Sequence, residues 1–390
     1  MRDTPALRPW QVSAGGIAGL ILSTGPARFP YPPLLPLMQQ QAGLSDAMGG
    51  TLAAVNYAGY MSGAVIAALI DDPRWRSRLY LWGMVLGLLA TALMPLAPSL
   101  PLWALSRYLG GLSGAAGMLL GSGLVLGFLM RAGKRPELGV HFLGLGLGIV
   151  VSALGAMAMD RLALDWAGHW WGFVVVGLPL LALTAWWRPP VPPPVAATST
   201  AAAPDPRWMR WMIAGYFCAG WGFVISATFT VAIVERQPLL HGQGPWAWLL
   251  VGLAATPAVF LWDRVARRLG DLNALLAAFA LQIVSVVLPA LSGSLAAALI
   301  GALLYGATFI GLVSPTLPLV GRRTPGNPGK AMARLTLSYG VAQVTAPALA
   351  GAMAQASGSY LASLWLTAAV LTVGMGIMGR LRALERRNPA

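Results

Sequence analysis

All but four of the 26 lysines and arginines in this 390-residue chain stand in alternate gaps between long apolar runs. Twelve runs can be counted, over 11–38, 46–70, 78–97, 101–129, 138–159, 167–187, 209–234, 246–262, 271–291, 295–318, 333–354 and 360–380. Arg2 and Arg8 precede the first. Basic clusters then follow the second (Arg74, Arg76, Arg78), fourth (Arg131, Lys134, Arg135) and sixth (Arg188, Arg207, Arg210). Others follow the eighth (Arg264, Arg267, Arg268), tenth (Arg322, Arg323, Lys330, Arg334) and twelfth (Arg380, Arg382, Arg386, Arg387), while the remaining gaps hold only Arg161 and Arg236. Crossing the hydrocarbon of a bilayer takes about 20 apolar residues in a helix. Lipid offers no partner to an unpaired backbone amide, so continuous runs of this length must be helical. Lys and Arg are retained on the cytoplasmic side during insertion. The pattern predicts an all-α integral membrane protein with twelve transmembrane helices, set in a bacterial inner membrane with both termini cytoplasmic.

Composition closes off other classes. The chain is 57% hydrophobic and 10% charged, whereas soluble domains carry about 25% charged residues. Its net charge of +14 is spread over small clusters between spans and forms no single basic face. The excess therefore points to topology and to contact with anionic lipid headgroups, with no nucleic-acid partner expected. Cys218 is the single cysteine, which leaves no internal disulfide and no cysteine metal site, and neither metal nor cofactor is expected. The first run reads as a span and not as a cleaved leader, since it lacks a small-residue cleavage site.

The longest polar interruption runs from Arg188 to Arg207 and contains PPVPPP followed by ATSTAAAPDP. A Pro-rich, small-polar stretch of this kind buries nothing and acts as a linker. It divides the chain into residues 1–187, a linker at 188–207 and residues 208–390, six spans on each side. Gly155-Ala156-Met157-Ala158 ends the fifth span and Gly351-Ala352-Met353-Ala354 the eleventh, as expected for two pseudo-symmetric six-helix bundles arising by duplication. The first span carries Pro26, Pro30, Pro32, Pro33 and Pro36. Each proline removes a backbone hydrogen bond, so helical continuity between Gly25 and Leu37 is not expected. Glycines crowd the fourth and fifth spans, where small residues let helix backbones approach closely.

These strings resemble the major facilitator superfamily, and more narrowly its YbfB/YjiJ-like branch. The first span reads ARFPYPPLLPLM, the second NYAGYMSGA, and the fourth carries Arg107, Gly111 and Ala115 in an RxxxGxxxA arrangement. The seventh reads GYFCAGWGFVISATF, the tenth YGATFIGLVSPTL and the eleventh LTLSYGVAQVTAPALAG. The loop after the second span is similar to the superfamily's GxxxDRxGRR gating loop through Asp71, Asp72, Arg74, Arg76 and Arg78, without its leading glycine. The Gly-Pro signature of the superfamily's antiporters is absent from the fifth span. What the resemblance implies is two bundles rocking about a central cavity lined by the first and fourth helices.

Arg28 and Arg107 are the basic residues that fall inside apolar runs. A charge in the hydrocarbon costs about 2.5–3.5 kcal/mol even on the lenient insertion scale, so it is kept where it meets a partner or a wet cavity. At 1.5 Å per residue the two lie roughly 18 Å and 9 Å from the outer ends of their spans. Two readings fit. The guanidiniums can hold an anionic or carboxylate-bearing substrate in bidentate fashion, or they can bond helix-end carbonyls and reach for the interface. All twelve acidic residues lie at span ends or in loops, which leaves Glu235 and His141 as candidates for proton coupling. A solvated cap and a packed histidine are the plainer roles for them. Tyr31, Asn56, Tyr60, Trp221, Thr228, Tyr305, Thr308, Tyr339 and Gln343 complete the candidate substrate site, with Ser23 and Thr230 beside them; each can equally bond helix to helix. Most of the 16 tryptophans sit near span ends as interfacial anchors. The expected function is secondary active transport of a small molecule by alternating access, coupled to a proton or other ion gradient, in a monomer. A polytopic membrane enzyme and a non-transporting receptor are the alternatives. The first would need a catalytic cluster that three scattered histidines do not supply, and the second a sizeable soluble domain.

Overall fold

Backbone hydrogen bonding inside lipid leaves helices as the available element. The computed structural model describes residues 7–133, 138–191, 206–324 and 328–387, and among them no strand occurs. Arg2, Lys134, Arg135 and the body of the expected linker, 192–205, lie outside the described residues, as do the side chains of Lys330, Arg386 and Arg387. The helices are α1 (Pro9–Arg28), α2 (Tyr31–Ala42), α3 (Asp46–Leu69), α4 (Pro73–Leu93), α5 (Leu100–Ala115), α6 (Ser122–Arg131), α7 (Leu138–Arg161) and α8 (Trp166–Trp186). After the linker come α9 (Pro206–Glu235), α10 (Gly244–Ala255), α11 (Ala258–Leu269), α12 (Asp271–Leu291), α13 (Leu295–Val313), α14 (Thr316–Arg323), α15 (Pro328–Ser357) and α16 (Leu361–Arg387).

Local chemistry explains the boundaries. Ser45, Asp72, Asp165 and Ser294 each cap a helix, accepting from Met48, Arg74, Gly168 and Ala297 amides respectively, which satisfies donors that have no intrahelical partner. The proline-rich first run breaks, as its sequence demands. The Phe29 amide folds back onto the Thr24 and Gly25 carbonyls at 2.7 and 3.2 Å, closing α1. Pro32 and Pro33 then fall in the first turn of α2, where missing N–H groups cost nothing. A π turn at Ala116–Gly121 joins α5 to α6, and α10 meets α11 at a 48° bend beside Pro257.

Among the described residues, nine helices or joined stretches are long and apolar enough to cross a membrane, and the bent α10–α11 pair makes a tenth. The two expected spans outside this set are the broken α1–α2 and α15, whose length is diluted by Arg334, Thr336, Ser338, Gln343 and Thr345. Large apolar side chains face outward along the helix waists, among them Trp82 (67% exposed), Leu89, Val175, Leu178, Leu303 and Val373. An apolar girdle of this kind belongs in lipid.

Helices α1–α8 pack chiefly on one another, as do α9–α16, and the two sets meet along α3 with α15, α7 with α10, and α2 with α9. The seams are lined by small residues. Any side chain at Gly50 would collide with the Pro347 carbonyl, and one at Gly351 would stand 2.5 Å from the Asp46 carbonyl. Gly252 likewise lets α10 approach the Val150 amide of α7. The two ends of the molecule differ in charge. At the basic end Arg322 pairs with Asp271 at 2.5 Å and Arg323 with Glu385 at 3.0 Å, while Arg188 donates to the Ser77 carbonyl. The far end gathers Gln39, Asp46, Arg236 and Tyr360.

Candidate substrate site

Breaking the first span puts an arginine at the end of a helix in the protein interior. Arg28 is the last residue of α1 and is 8% exposed. The carbonyl dipoles of a helix C-terminus favour a cation there. Its guanidinium lies over the Tyr57 ring at 4.5 Å, the Tyr60 ring at 5.2 Å and the Phe29 ring at 5.5 Å. A desolvated cation over an aromatic face gains about 2 kcal/mol. Among the described residues no carboxylate pairs with it, and its Nη2 is buried without a hydrogen-bond partner.

Arg107, on α5 and also buried, is occupied differently. Its Nη1 donates to the Arg28 carbonyl at 3.2 Å, filling an acceptor that the broken helix leaves open, and its guanidinium lies 4.3 Å from the centre of the Tyr31 ring. The Tyr31 hydroxyl donates to the Gly49 carbonyl at 2.9 Å, and Asn56 Nδ2 donates to the Arg107 carbonyl at 2.7 Å. Arg107 thus ties α5 to the α1–α2 break, and its neighbours tie that break to α3. Gly111 makes the approach possible, since a side chain there would collide with the Asn56 carbonyl.

Facing Arg28 and its rings is an aromatic wall from the second set of helices. Phe223 of α9 meets Tyr57 edge to face at 6.2 Å, and Tyr305 stacks on Phe309 at 5.3 Å. Tyr339 lies 6.0 Å from Phe223 and 4.7 Å from Tyr216. The Tyr305 hydroxyl donates to the Phe223 carbonyl at 3.0 Å, which fixes α13 against α9. A buried cation with an unused donor over first-half rings, one of which meets Phe223 of the second half, has the chemistry to take an anionic group attached to an apolar or planar body.

The other candidates from the sequence are scattered. Thr228 and Thr308 donate to the Val224 and Leu304 carbonyls of their own helices, as Ser23 and Thr230 do to Leu20 and Ser226. Gln343 is buried on α15, and Trp221 is half-buried beside Phe217. Of the expected gating loop, Asp71 and Asp72 precede α4 and Asp72 caps it through the Arg74 amide, whereas Arg74, Arg76 and Arg78 lie in its first turns and not in a loop; all five are exposed. His141 is buried on α7, its Nε2 sharing a 2.9 Å hydrogen bond with Ser122 Oγ. Glu235 accepts from the Gly242 and Gly244 amides and so shapes the loop before α10. His141 and Glu235 therefore lie on different helices, away from each other and from the rings around Arg28. Among the described residues no group of three metal-binding side chains is assembled.

Sequence reasoning missed Tyr57, Phe223, Phe309 and Tyr216, and it missed the polar cluster at the far end. There Asp46 Oδ1 accepts from Gln39 Nε2 (2.7 Å), Arg236 Nη2 (2.5 Å) and the Tyr360 hydroxyl (2.9 Å). Two signals were available. Tyr57 lies one helical turn before Tyr60, and Arg236 is a lone basic residue on the side of the membrane otherwise nearly free of them.

A family model described as "Uncharacterised MFS-type transporter YbfB" matches residues 20–379. The Bacillus subtilis (strain 168) protein "Uncharacterized MFS-type transporter YfiU" is 24% identical over 210 residues, covering 53% of this chain and only 38% of that relative. Among solved structures, a mutant of nucleoside transporter NupG aligns with a TM-score of 0.77 at 12% identity, covering 96% of this chain and 99% of that one. The human organic anion transporter TETRAN aligns with a TM-score of 0.63 at 16% identity, covering 96% and 100%. At such identities the structural likeness speaks to the fold. Taken with the family match through nearly the whole chain, it means that this is a multi-pass membrane protein of the major facilitator superfamily and belongs to its YbfB-type family of transporters.

Proposed function

We propose that the chain is a secondary active transporter that carries a small organic anion across the bacterial inner membrane by alternating access. The two six-helix sets act as the rocking bodies, and a proton gradient supplies the drive. Counting α1 with α2 as one broken crossing, and α15 as another, raises the ten clear spans to twelve. The basic end is then cytoplasmic, with both termini on that side and its arginines against anionic headgroups. The far end is periplasmic.

One observation carries the substrate assignment: the Arg28 guanidinium is buried over the rings of Tyr57 and Tyr60 without a carboxylate, and one of its nitrogens is unbonded. A buried charge without a counter-ion is costly, and an anionic solute arriving there supplies what is missing. Aromatic faces from both sets suit a planar or apolar body on that solute. One structural neighbour is an organic anion transporter, which is in keeping with this reading.

The test is a thermal-shift screen of the purified protein against small aromatic and aliphatic carboxylates, each paired with its neutral amide. A carboxylate that stabilises the protein, whose amide does not, and whose effect disappears in Arg28→Ala supports the assignment. Equal shifts from carboxylate and amide, or a shift that survives in Arg28→Ala, would remove Arg28 from the site.

A further inference from the structure

Transport driven by protons needs a group that binds a proton in one state of the cycle and gives it up in another. Most carboxylates among the described residues serve their own half of the molecule. Asp160 pairs with His169, Asp263 with Arg267, Asp271 with Arg322, and Glu385 with Arg323. Glu235 is held by the amides of its own loop. Asp46 differs, because its donors come from both halves: Gln39 from α2, Arg236 from the end of α9, and Tyr360 from the turn before α16.

Three donors hold Asp46 as a carboxylate while the two halves meet, and that hold is lost when they part. The Asp46 side chain is 11% exposed and that of Arg236 34%, so the pair is largely desolvated and still open to water at the far end. The Arg236 guanidinium lies 4.7 Å from the centre of the Tyr360 ring. Burial, and then the Asp46 carboxylate beside it, raise the pKa of the Tyr360 phenol, which keeps it a donor. Asp46 is also the first residue of α3, where the helix dipole favours its charged form. From α15, Gln355 accepts from the neighbouring Ala47 amide at 3.5 Å. One turn inward Gly50 meets the Pro347 carbonyl, so the polar cluster sits directly outside the α3–α15 seam.

We infer that Asp46 is the proton-binding site of the transport cycle. As a carboxylate it holds the two halves together at the far end through Arg236 and Tyr360, and on taking up a proton it lets that end open. The proton goes to the carboxylate, and no covalent bond between heavy atoms is made or broken. Neutralising Asp46 removes the charge-assisted part of its bond to Arg236, the strongest element of the cluster. The inference rests on the alternating-access reading above. His241, 3.9 Å from Glu235 and 73% exposed, and His169, 3.0 Å from Asp160, are the histidines at the same end, and both serve as controls.

The experiment measures the width of the far end. Leu164 and Leu239, both exposed there on opposite halves, are replaced by spin-labelled cysteines in a Cys218→Ala background, and their separation is read by electron–electron resonance in lipid nanodiscs. Lowering the pH from about 7 to about 3, through the ordinary aspartate value of about 3.9, is expected to raise the long-distance fraction about twofold or more. Asp46→Asn should show the long distance at every pH, and Arg236→Gln should do the same from the opposite partner. A short, pH-responsive distance retained in Asp46→Asn overturns the inference. So does a pH response that vanishes in His241→Asn or in His169→Asn. Because the labels read opening and not flux, either result leaves the carrier assignment standing, to be judged by the ligand screen at Arg28.

Discussion

Arg28 and Arg107 are both buried guanidiniums on helices of the first half, linked by a single hydrogen bond, yet their surroundings set them apart. Arg107 donates to the carbonyl that the end of α1 leaves open and lies over Tyr31, so its charge is used in joining α5 to a broken helix. Each guanidinium keeps one nitrogen unbonded, Nη2 in Arg28 and Nε in Arg107, but that of Arg28 lies over the rings of Tyr57, Tyr60 and Phe29. Two residues that cost about the same to bury can thus be divided by where their donors point. Arg107 braces α5 against the broken helix, and Arg28 is the residue proposed above to meet the ligand.

The largest test of that division is Arg28→Ala. It should lower the affinity for a stabilising carboxylate about 100-fold or more, roughly 2.7 kcal/mol, in a titration of the purified protein. Its thermal midpoint without ligand should change little, because losing the contacts with the rings and removing an uncompensated buried charge oppose each other. Arg28→Lys should cost about tenfold in the same titration, since the ammonium keeps the charge and loses the planar fork. Arg107→Ala should show the opposite profile. Stability falls by about 1–2 kcal/mol as the Arg28 carbonyl loses its donor, while affinity changes by less than about threefold. Asn56→Ala, which removes the donor to the Arg107 carbonyl, should cost about 1 kcal/mol of stability. The smallest effect is expected from Tyr31→Phe, under about 1 kcal/mol, because the Gly49 carbonyl has a second partner within its own helix. Equal losses of affinity in Arg28→Ala and Arg107→Ala would dissolve the distinction.

Much of the fold could be read from the sequence, because lipid enforces a simple rule on apolar runs and prolines announce where a helix must stop. The break at Phe29–Pro30 follows from five prolines in one run. Arg28 and Arg107 stood out because a charge among apolar residues is conspicuous. The aromatic wall did not stand out, for a geometric reason. Helix α9 is buried around nearly its whole circumference, so no polar face shows which way it is turned. Trp221 drew attention as a mid-span tryptophan, but two residues turn a helix by roughly 200°, and it is Phe223 that meets Tyr57. The far-end cluster was hidden by separation, since Asp46 and Arg236 are 190 positions apart. His141 drew attention for its chemistry, and the interior gives it Ser122 as a close partner.

Gly50 and Gly351 meet backbone to backbone, and a contact of that kind has no teeth. Separating α3 from α15 at that level drags no side chain out of a socket, so the joint behaves like two smooth rails held shut by a clasp beyond them. Bulk added there works as a doorstop: Gly351→Leu should wedge the rails apart and keep the far mouth ajar whatever the acidity outside.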